Sequence, residues 1–202
     1  EQPAVVDSTG FGDFWTLNDG VAAVNNVGRN FVRVLRGTYP AATVSQAGMV
    51  VEGAGDTLTV FDGLAAAAGL TVSGADVTVR DLGARTTPGG GSAFDPFVVT
   101  GARFNGNFLR ALGSDDDCFV LSAANPILTD SRAHRCDDDG IYLPGGAADN
   151  GVISSSSVQN QSGTSLEILS GANNNAIGPV RLDGAAVDAG TNNVIVAEET
   201  AF

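Results

Sequence analysis

After residue 30 the chain is a succession of short apolar runs set between polar, glycine-containing clusters, and most of the runs are only three to five residues long. They include Phe31 to Leu35, Met49 to Val51, Leu58 to Phe61, Leu70 to Val72, Val77 to Val79 and Phe97 to Val99, then Phe119 to Leu121, Ile141 to Leu143, Leu166 to Leu169, Ile177 to Leu182 and Val194 to Val196. Runs this short, bounded by Gly, Asn, Asp and Ser, predict strands. Only Phe14 to Val27 has helical spacing, with Leu17, Val21, Val24 and Val27 on one face. Thr16 is placed to cap its start with Asp19 three residues on, and Gly28 to stop it.

The strands repeat. Arg110–Leu121 aligns with Arg132–Leu143 at an offset of about 22 residues, so that the Arg, the Ala, three consecutive Asp and the final Leu coincide. That period is one turn of a solenoid, in which no coil can bury its apolar side alone and neighbours must stack to form a core. A second recurrence is an Asn before the other strand of each coil: Asn125, Asn150, Asn175 and Asn193. Asn tolerates the left-handed backbone of a sharp turn, and stacked Asn side chains can hydrogen-bond along the axis. The predicted architecture is all-β: a single right-handed parallel β-helix over residues 1–202, with an N-terminal segment and cap helix over 1–28, coils over 29–197 and a tail over 198–202. No second cap helix is evident, which leaves the last coil to be closed by Ala197 to Phe202 or by another subunit.

Composition agrees with a strand-and-turn protein: 43% hydrophobic, 16% charged and 27 glycines in 202 residues. The formal net charge is -13, and every basic residue is Arg. Such a surface makes nucleic acid a poor partner. The longest Ala-rich apolar stretch, Leu64 to Leu70, is far below the ~18 residues of a membrane span. The sequence begins at Glu1 without Met, as expected of a secreted protein after signal-peptide removal, so the expected location is extracellular or at the cell surface.

The opening segment Thr16-Leu17-Asn18-Asp19-Gly20-Val21-Ala22-Ala23-Val24, with Val32-Arg33-Val34 and Arg36-Gly37-Thr38-Tyr39-Pro40, resembles the cap helix, first strand and following turn of the pectin-lyase-like superfamily. Val51-Glu52-Gly53-Ala54-Gly55 and Leu70-Thr71-Val72-Ser73-Gly74-Ala75-Asp76-Val77-Thr78-Val79-Arg80-Asp81-Leu82 are similar to its next coils. The resemblance covers about residues 14 to 197. It implies the fold and not one activity, because that superfamily holds pectate lyases, polygalacturonases, mannuronan epimerases, phage tail spikes and adhesins. Asp116-Asp117-Cys118 resembles the aspartate-aspartate-cysteine stretch of polygalacturonases, but that family's other motifs are missing here.

The Asp triplets carry the candidate chemistry. The offset stacks Asp115, Asp116 and Asp117 over Asp137, Asp138 and Asp139 at about 4.8 Å. Mutual repulsion is relieved in one of three ways: by solvation or pairing with Arg110 and Arg132; by calcium, with Asp115 and Asp137 among its ligands; or by protonation, which makes Asp116, Asp117, Asp138 and Asp139 a catalytic set. His134, the single histidine, is a candidate general base whose pKa neighbouring carboxylates would raise. Arg110, Arg132 and Arg135 are candidates for substrate contact or a lyase-type base.

Cys118 and Cys136 are expected at different positions of adjacent coils. A straight strand would hold them more than about 12 Å apart, so a disulfide requires an intervening bend. Phe11, Phe14 and Trp15 are expected to pack at the cap or, where exposed, to bind sugar rings or a neighbouring subunit, and the loop Thr86 to Asp95, containing Pro88-Gly89-Gly90-Gly91-Ser92, to overhang a groove or form a neutral excursion. Two functions fit. The first is an extracellular scaffold or binding module that associates with itself as a homo-oligomer or filament; the alternative is a small polysaccharide lyase, glycoside hydrolase or epimerase acting on an acidic glycan.

Overall fold

The computed structural model describes residues 3–26, 30–64, 66–87, 94–114, 116–146, 148–159 and 162–199. The chain forms a right-handed parallel β-helix of about seven turns with one short helix near its N-terminus. Each full coil has three faces. The first face is built by strands such as Phe31–Val34, Val50–Glu52, Ile127–Thr129 and Val152–Ser154; the second by Gly37–Pro40, Thr59–Asp62, Arg132–Cys136 and Ser156–Gln159. Three longer strands, Thr78–Arg85, Asn105–Ser114 and Ala176–Leu182, run around the corner between these faces and join them into one 13-stranded sheet. The third face is a separate seven-stranded sheet from Ala42–Val44 to Ala186–Asp188.

Register follows the sequence repeat. Arg110 pairs with Arg132, Ser114 with Cys136, and Phe119 with Ile141. Inward positions alternate with outward ones along the short strands of the third face from Ala42–Val44 to Leu166–Ile168, so like side chains pile up in columns. Val44, Val72, Val99, Leu121, Leu143 and Ile168 form one such column, all buried. In the adjacent column the rings of Phe97 and Phe119 stack with centroids 4.9 Å apart. Each fully buried aliphatic or Phe side chain contributes about 1.5–3 kcal/mol, and it does so only because the next coil covers it.

The helix runs over Leu17–Asn26, beginning three residues later than its apolar spacing suggested. Thr16 caps it as expected, with Oγ1 accepting the Asp19 N–H and donating to the Asp19 carboxylate. Phe14 is not helical: it makes a β-bridge with Val6, because Ala4–Val6 already forms a strand beside Phe31–Val34. The β structure therefore begins inside the segment assigned to the cap. Phe14 packs on the core, but Phe11 and Trp15 are 93% and 70% exposed and do not pack at the cap. At the other end, Val194–Glu199 adds a further strand; residues 200–202 of the expected tail lie outside the described ones. Among the described residues no helix is long and apolar enough to cross a membrane.

Two corners are made by residues with positive φ. Before the first face they are Gly48, Asp76, Arg103, Asn125, Asn150, Asn174 and Asn192; between the first and second faces they are Asp81, Phe108, Asp130 and Ser155. Asn125 and Asn150 are therefore the turn residues anticipated, whereas in the last two coils the turn falls on Asn174 and Asn192. Asn175 and Asn193, one place on, point inward and bond to each other: Asn175 Nδ2 donates to Asn193 Oδ1 at 3.1 Å.

Candidate active site

The remaining corner, between the second and third faces, gathers the acids. The strand Asn105–Ser114 ends there and Phe119–Leu121 leaves it; one coil on, Arg132–Cys136 and Ile141–Leu143 do the same. The chain bends sharply between them, and that bend brings Cys118 to Cys136 with Cα atoms 5.5 Å apart in a disulfide. A straight strand could not have done so.

The repeat places like carboxylates over one another. The Asp117 N–H donates to Asp95 Oδ1 at 3.0 Å, the Asp139 N–H to Asp117 Oδ1 at 2.9 Å, and the Thr164 N–H to Asp139 Oδ1 at 2.8 Å. Asp95, Asp117 and Asp139 thus form a ladder in which each carboxylate accepts a backbone N–H from the following coil. Asp117 and Asp139 are only 7% and 4% exposed. Beside this ladder stand Asp116 and Asp138, in register through the Asp138 N–H to the Asp116 carbonyl at 3.1 Å. Asp116 is half-buried and Asp138 exposed. The next coil supplies glycine at this position: a Cβ on Gly163 would clash with Asp138 Oδ1 and with the Asp138 backbone carbonyl, so a side chain there would disturb the turn that holds this carboxylate.

Crowding and burial hold these groups toward their protonated forms. Asp95 is pushed up to about 7 by burial and then by the charge of Asp116. Asp117 also rises to about 7, through burial and the charges of Asp116, Asp95 and Asp139, against the lowering effect of the Asp139 N–H. Asp116 is raised by burial and by Asp138 and Asp139; Asp138 by burial and Asp139. Asp139 is raised by burial and by Glu167, which lies on the third face opposite Tyr142. One carboxylate oxygen from each of Asp95, Asp116 and Asp117 lies within 4.8 Å of the others, a spacing at which three oxygens could also share a cation.

Sequence reading identified Asp116, Asp117, Asp138 and Asp139, and the structure brings them together. It missed Asp95, although Asp95 precedes Asp117 by the same 22 residues that separate Asp117 from Asp139. It missed Glu167 because the next coil is longer, with 25 residues between Asp139 and Thr164. Asp137 is exposed and stands outside the close group of oxygens, and Asp115 lies outside the described residues, as do 88–93 of the loop Thr86 to Asp95. The ends of that loop are tied to this corner, since Thr86 Oγ1 and Ser114 Oγ both donate to the Phe94 carbonyl.

The basic residues lie elsewhere. Arg110, Arg132 and His134 project from the second face, and Arg135 is exposed with φ 61°. Among the described residues, Arg110 and Arg132 form no ion pair with the Asp groups expected to neutralise them. His134 has its pKa lowered, not raised, because burial and the charges of Arg135 and Arg110 outweigh Asp183. A cleft of about 820 Å³ at the N-terminal end of the second face, around Arg36, Thr57 and Leu58, is remote from this chemistry; its one carboxylate, Asp7, is already engaged by Thr9.

No protein-family model matches the chain, and no curated protein matches it either. Solved structures do. The catalytic domain of a GH87 alpha-1,3-glucanase in complex with nigerose superposes with a TM-score of 0.75 at 12% identity, covering 96% of this chain and 37% of that one. The mannuronan C-5 epimerase AlgE6 A-module of Azotobacter vinelandii gives 0.70 at 13% identity, over 85% of this chain and 52% of that one. The likeness is one of fold, within the parallel β-helices that the pectin-lyase-like resemblance implied. The chain spans about two fifths of the glucanase domain and half of the epimerase module. The glucanase was also solved as three different Asp-to-Ala variants, two of them at adjacent positions, each with bound nigerose or tetrasaccharides.

Proposed function

We propose that this chain is a glycan-acting enzyme that cleaves glycosidic bonds with the paired carboxyl groups of Asp116 and Asp138. The observation that carries the reading is the two-coil stack of acids: Asp116 and Asp138 in register beside the ladder of Asp95, Asp117 and Asp139, with burial and the charge of Asp139 raising the proton affinity of both members of the pair. Glycosidic cleavage needs one carboxylic acid and one carboxylate on either side of the bond. Asp116, less exposed and flanked by Asp138 and Asp139, is the acid, and its proton goes to the leaving glycosidic oxygen. Asp138, open to solvent, is the carboxylate that takes a proton from the attacking water. The adjacent pairs Asp116–Asp117 and Asp138–Asp139 add support, since two of the aspartates replaced in the sugar-bound glucanase are also neighbours. Both groups of similar structures bear names of glycan-acting enzymes, which favours this reading over a self-associating scaffold. A disulfide-bonded protein acting on polymers belongs outside the cell.

The test is release of reducing ends from a panel of glycans that includes alpha-1,3-glucan and polyuronates, with absorbance at 235 nm recorded for lyase products. Turnover is expected to fall at least 100-fold in Asp116→Asn and in Asp138→Asn with the fold intact. Unchanged turnover in both variants, or no product from any glycan, sinks the assignment.

A second reading rests on the close approach of Asp95, Asp116 and Asp117. Calcium shared by these oxygens would relieve the same repulsion. Its signature is a melting temperature that rises with added calcium and falls with chelator, an effect that Asp95→Asn removes.

A further inference from the structure

Most arginines with a described partner sit in complementary pairs. Arg33 and Arg80 flank Glu52, Arg85 holds Asp62, and Arg103 holds Asp76. The second face breaks this pattern. Arg110 and Arg132 stand in register on adjacent coils, and among the described residues no carboxylate lies within ion-pair distance of either. Like charges opposite one another on paired strands repel. The same column continues through Ser157 to Arg181. Between Arg132 and Arg181 lies an open cleft of about 390 Å³, lined also by Ser155, Ser157, Pro179 and Glu198. Glu198 is a weak competitor for Arg181: the atoms are 3.8 Å apart and the side chains are 64% and 61% exposed. Glu198 faces Arg181 from the next strand, but water and salt weaken so exposed a contact.

We propose that this cleft is a subsite for an anionic group carried by a glycan, a carboxylate or a sulfate ester, bound between the guanidinium groups of Arg132 and Arg181. The hydroxyls of Ser155 and Ser157 supply further donors, and Arg110 extends the positive charge by one coil. The inference rests on the glycan-acting reading of the acidic corner and names the chemistry of the glycan. The cleft is the size of a small-ligand site, and the planar fork of Arg matches both anions. Arg132 is four residues from Cys136 at the acidic corner, about 13 Å along the strand. A short oligosaccharide therefore reaches from one to the other. The net charge of -13 does not forbid an anionic ligand, because charges beyond the ~8 Å screening length count for little at physiological salt.

The experiment is titration calorimetry of the full chain against polygalacturonate, a sulfated galactan, and carboxyl-reduced polygalacturonate as the neutral control. At least one anionic polymer is expected to bind about tenfold or more tightly than the neutral one, with an affinity that weakens as salt is added. Preference for the uronate assigns the subsite to carboxylate, and preference for the galactan to sulfate ester. The double variant Arg132→Gln, Arg181→Gln should lose that tenfold; its fold is checked by its melting temperature, both side chains being exposed. Equal binding of neutral and anionic polymers, absence of binding to both anionic polymers, or unchanged binding in the double variant overturns the proposal. Binding is read without turnover, so Asp116→Asn losing cleavage while anion binding persists, or the reverse, separates this subsite from the catalytic assignment.

Discussion

Two corners of this solenoid repeat a polar residue on neighbouring coils, and the repeats have opposite consequences. At the corner entering the first face, Asn175 Oδ1 accepts the Gly151 N–H at 2.7 Å while its Nδ2 donates to the Ala148 carbonyl at 2.9 Å and to Asn193 Oδ1. An amide both donates and accepts, so the stack satisfies itself and stays neutral. At the corner leaving the second face, Asp95, Asp117 and Asp139 each accept one backbone N–H and then face one another with acceptors only. An ionised carboxylate has no proton to give its neighbour, so the same stacking raises its pKa. A ladder of amides is a structural part; a ladder of acids stores protons or recruits a cation.

Exchanging the chemistry of the two corners gives the largest effect. Asn175→Asp removes both donors of a side chain that is 1% exposed and turns a carboxylate oxygen toward the acceptors Ala148 O and Asn193 Oδ1. At pH 8 it should cost about 3–5 kcal/mol in denaturant unfolding. The new group has a raised folded pKa, so part of the loss should return as the pH is lowered to 4. A variant equally stable at pH 8 would mean that the amide ladder is ornamental.

The acidic corner alone carries a covalent tie. Cys118–Cys136 closes a loop with a sequence separation of 18, and opening it by Cys118→Ala with Cys136→Ala should lower stability by about 3 kcal/mol. The loss should be accompanied by weaker turnover, since the bridge holds the Asp116 turn against the Asp138 turn. Full activity after reduction would detach the catalytic geometry from the bend.

The reverse exchange, Asp117→Asn, should stabilise. Asp117 has a folded pKa raised to about 7, so the native state binds a proton that the unfolded chain has released, and stability falls as the pH rises from about 4 to 7. Allowing for water at the corner, the amide should gain on the order of 2 kcal/mol at pH 8 and almost nothing at pH 4. The wild-type melting temperature should accordingly be higher at pH 5 than at pH 8, and the variant should flatten that slope. A wild-type optimum at pH 8 without calcium would contradict the protonated ladder.

The sequence carried the fold because a solenoid writes its register directly: the match of Arg110–Leu121 with Arg132–Leu143 is the pairing of Arg110 with Arg132 and of Phe119 with Ile141. The site was legible only where coil length stayed constant. Counting back one more coil from Asp117 reaches Asp95, but the Gly-rich insertion before it hides the repeat. The disulfide was not legible, because the pairing of Ser114 with Cys136 sets the thiols apart until the bend after Ser114 is known. The charge on His134 was misjudged for a related reason. Nearness in sequence to Asp137–Asp139 suggested that carboxylates would raise its pKa, whereas burial and the charges of Arg135 and Arg110 outweigh the one carboxylate that acts on it, Asp183.

That distinction between nearness along the chain and nearness in space gives the smallest and most discriminating prediction. Asp137 belongs to the same triplet as Asp138 and Asp139, yet it is exposed and none of its carboxylate oxygens joins the close group formed by Asp95, Asp116 and Asp117. Asp95 belongs to no triplet and sits inside that group. If the corner works through stacked carboxylates, Asp137→Asn should change stability by no more than about 0.5 kcal/mol and leave turnover intact. Asp95→Asn should reproduce much of the alkaline stabilisation expected of Asp117→Asn, because it removes a like charge from the same ladder. Should Asp137 prove the more sensitive of the two, the sheer number of acids on the turn would matter more than their alignment from coil to coil.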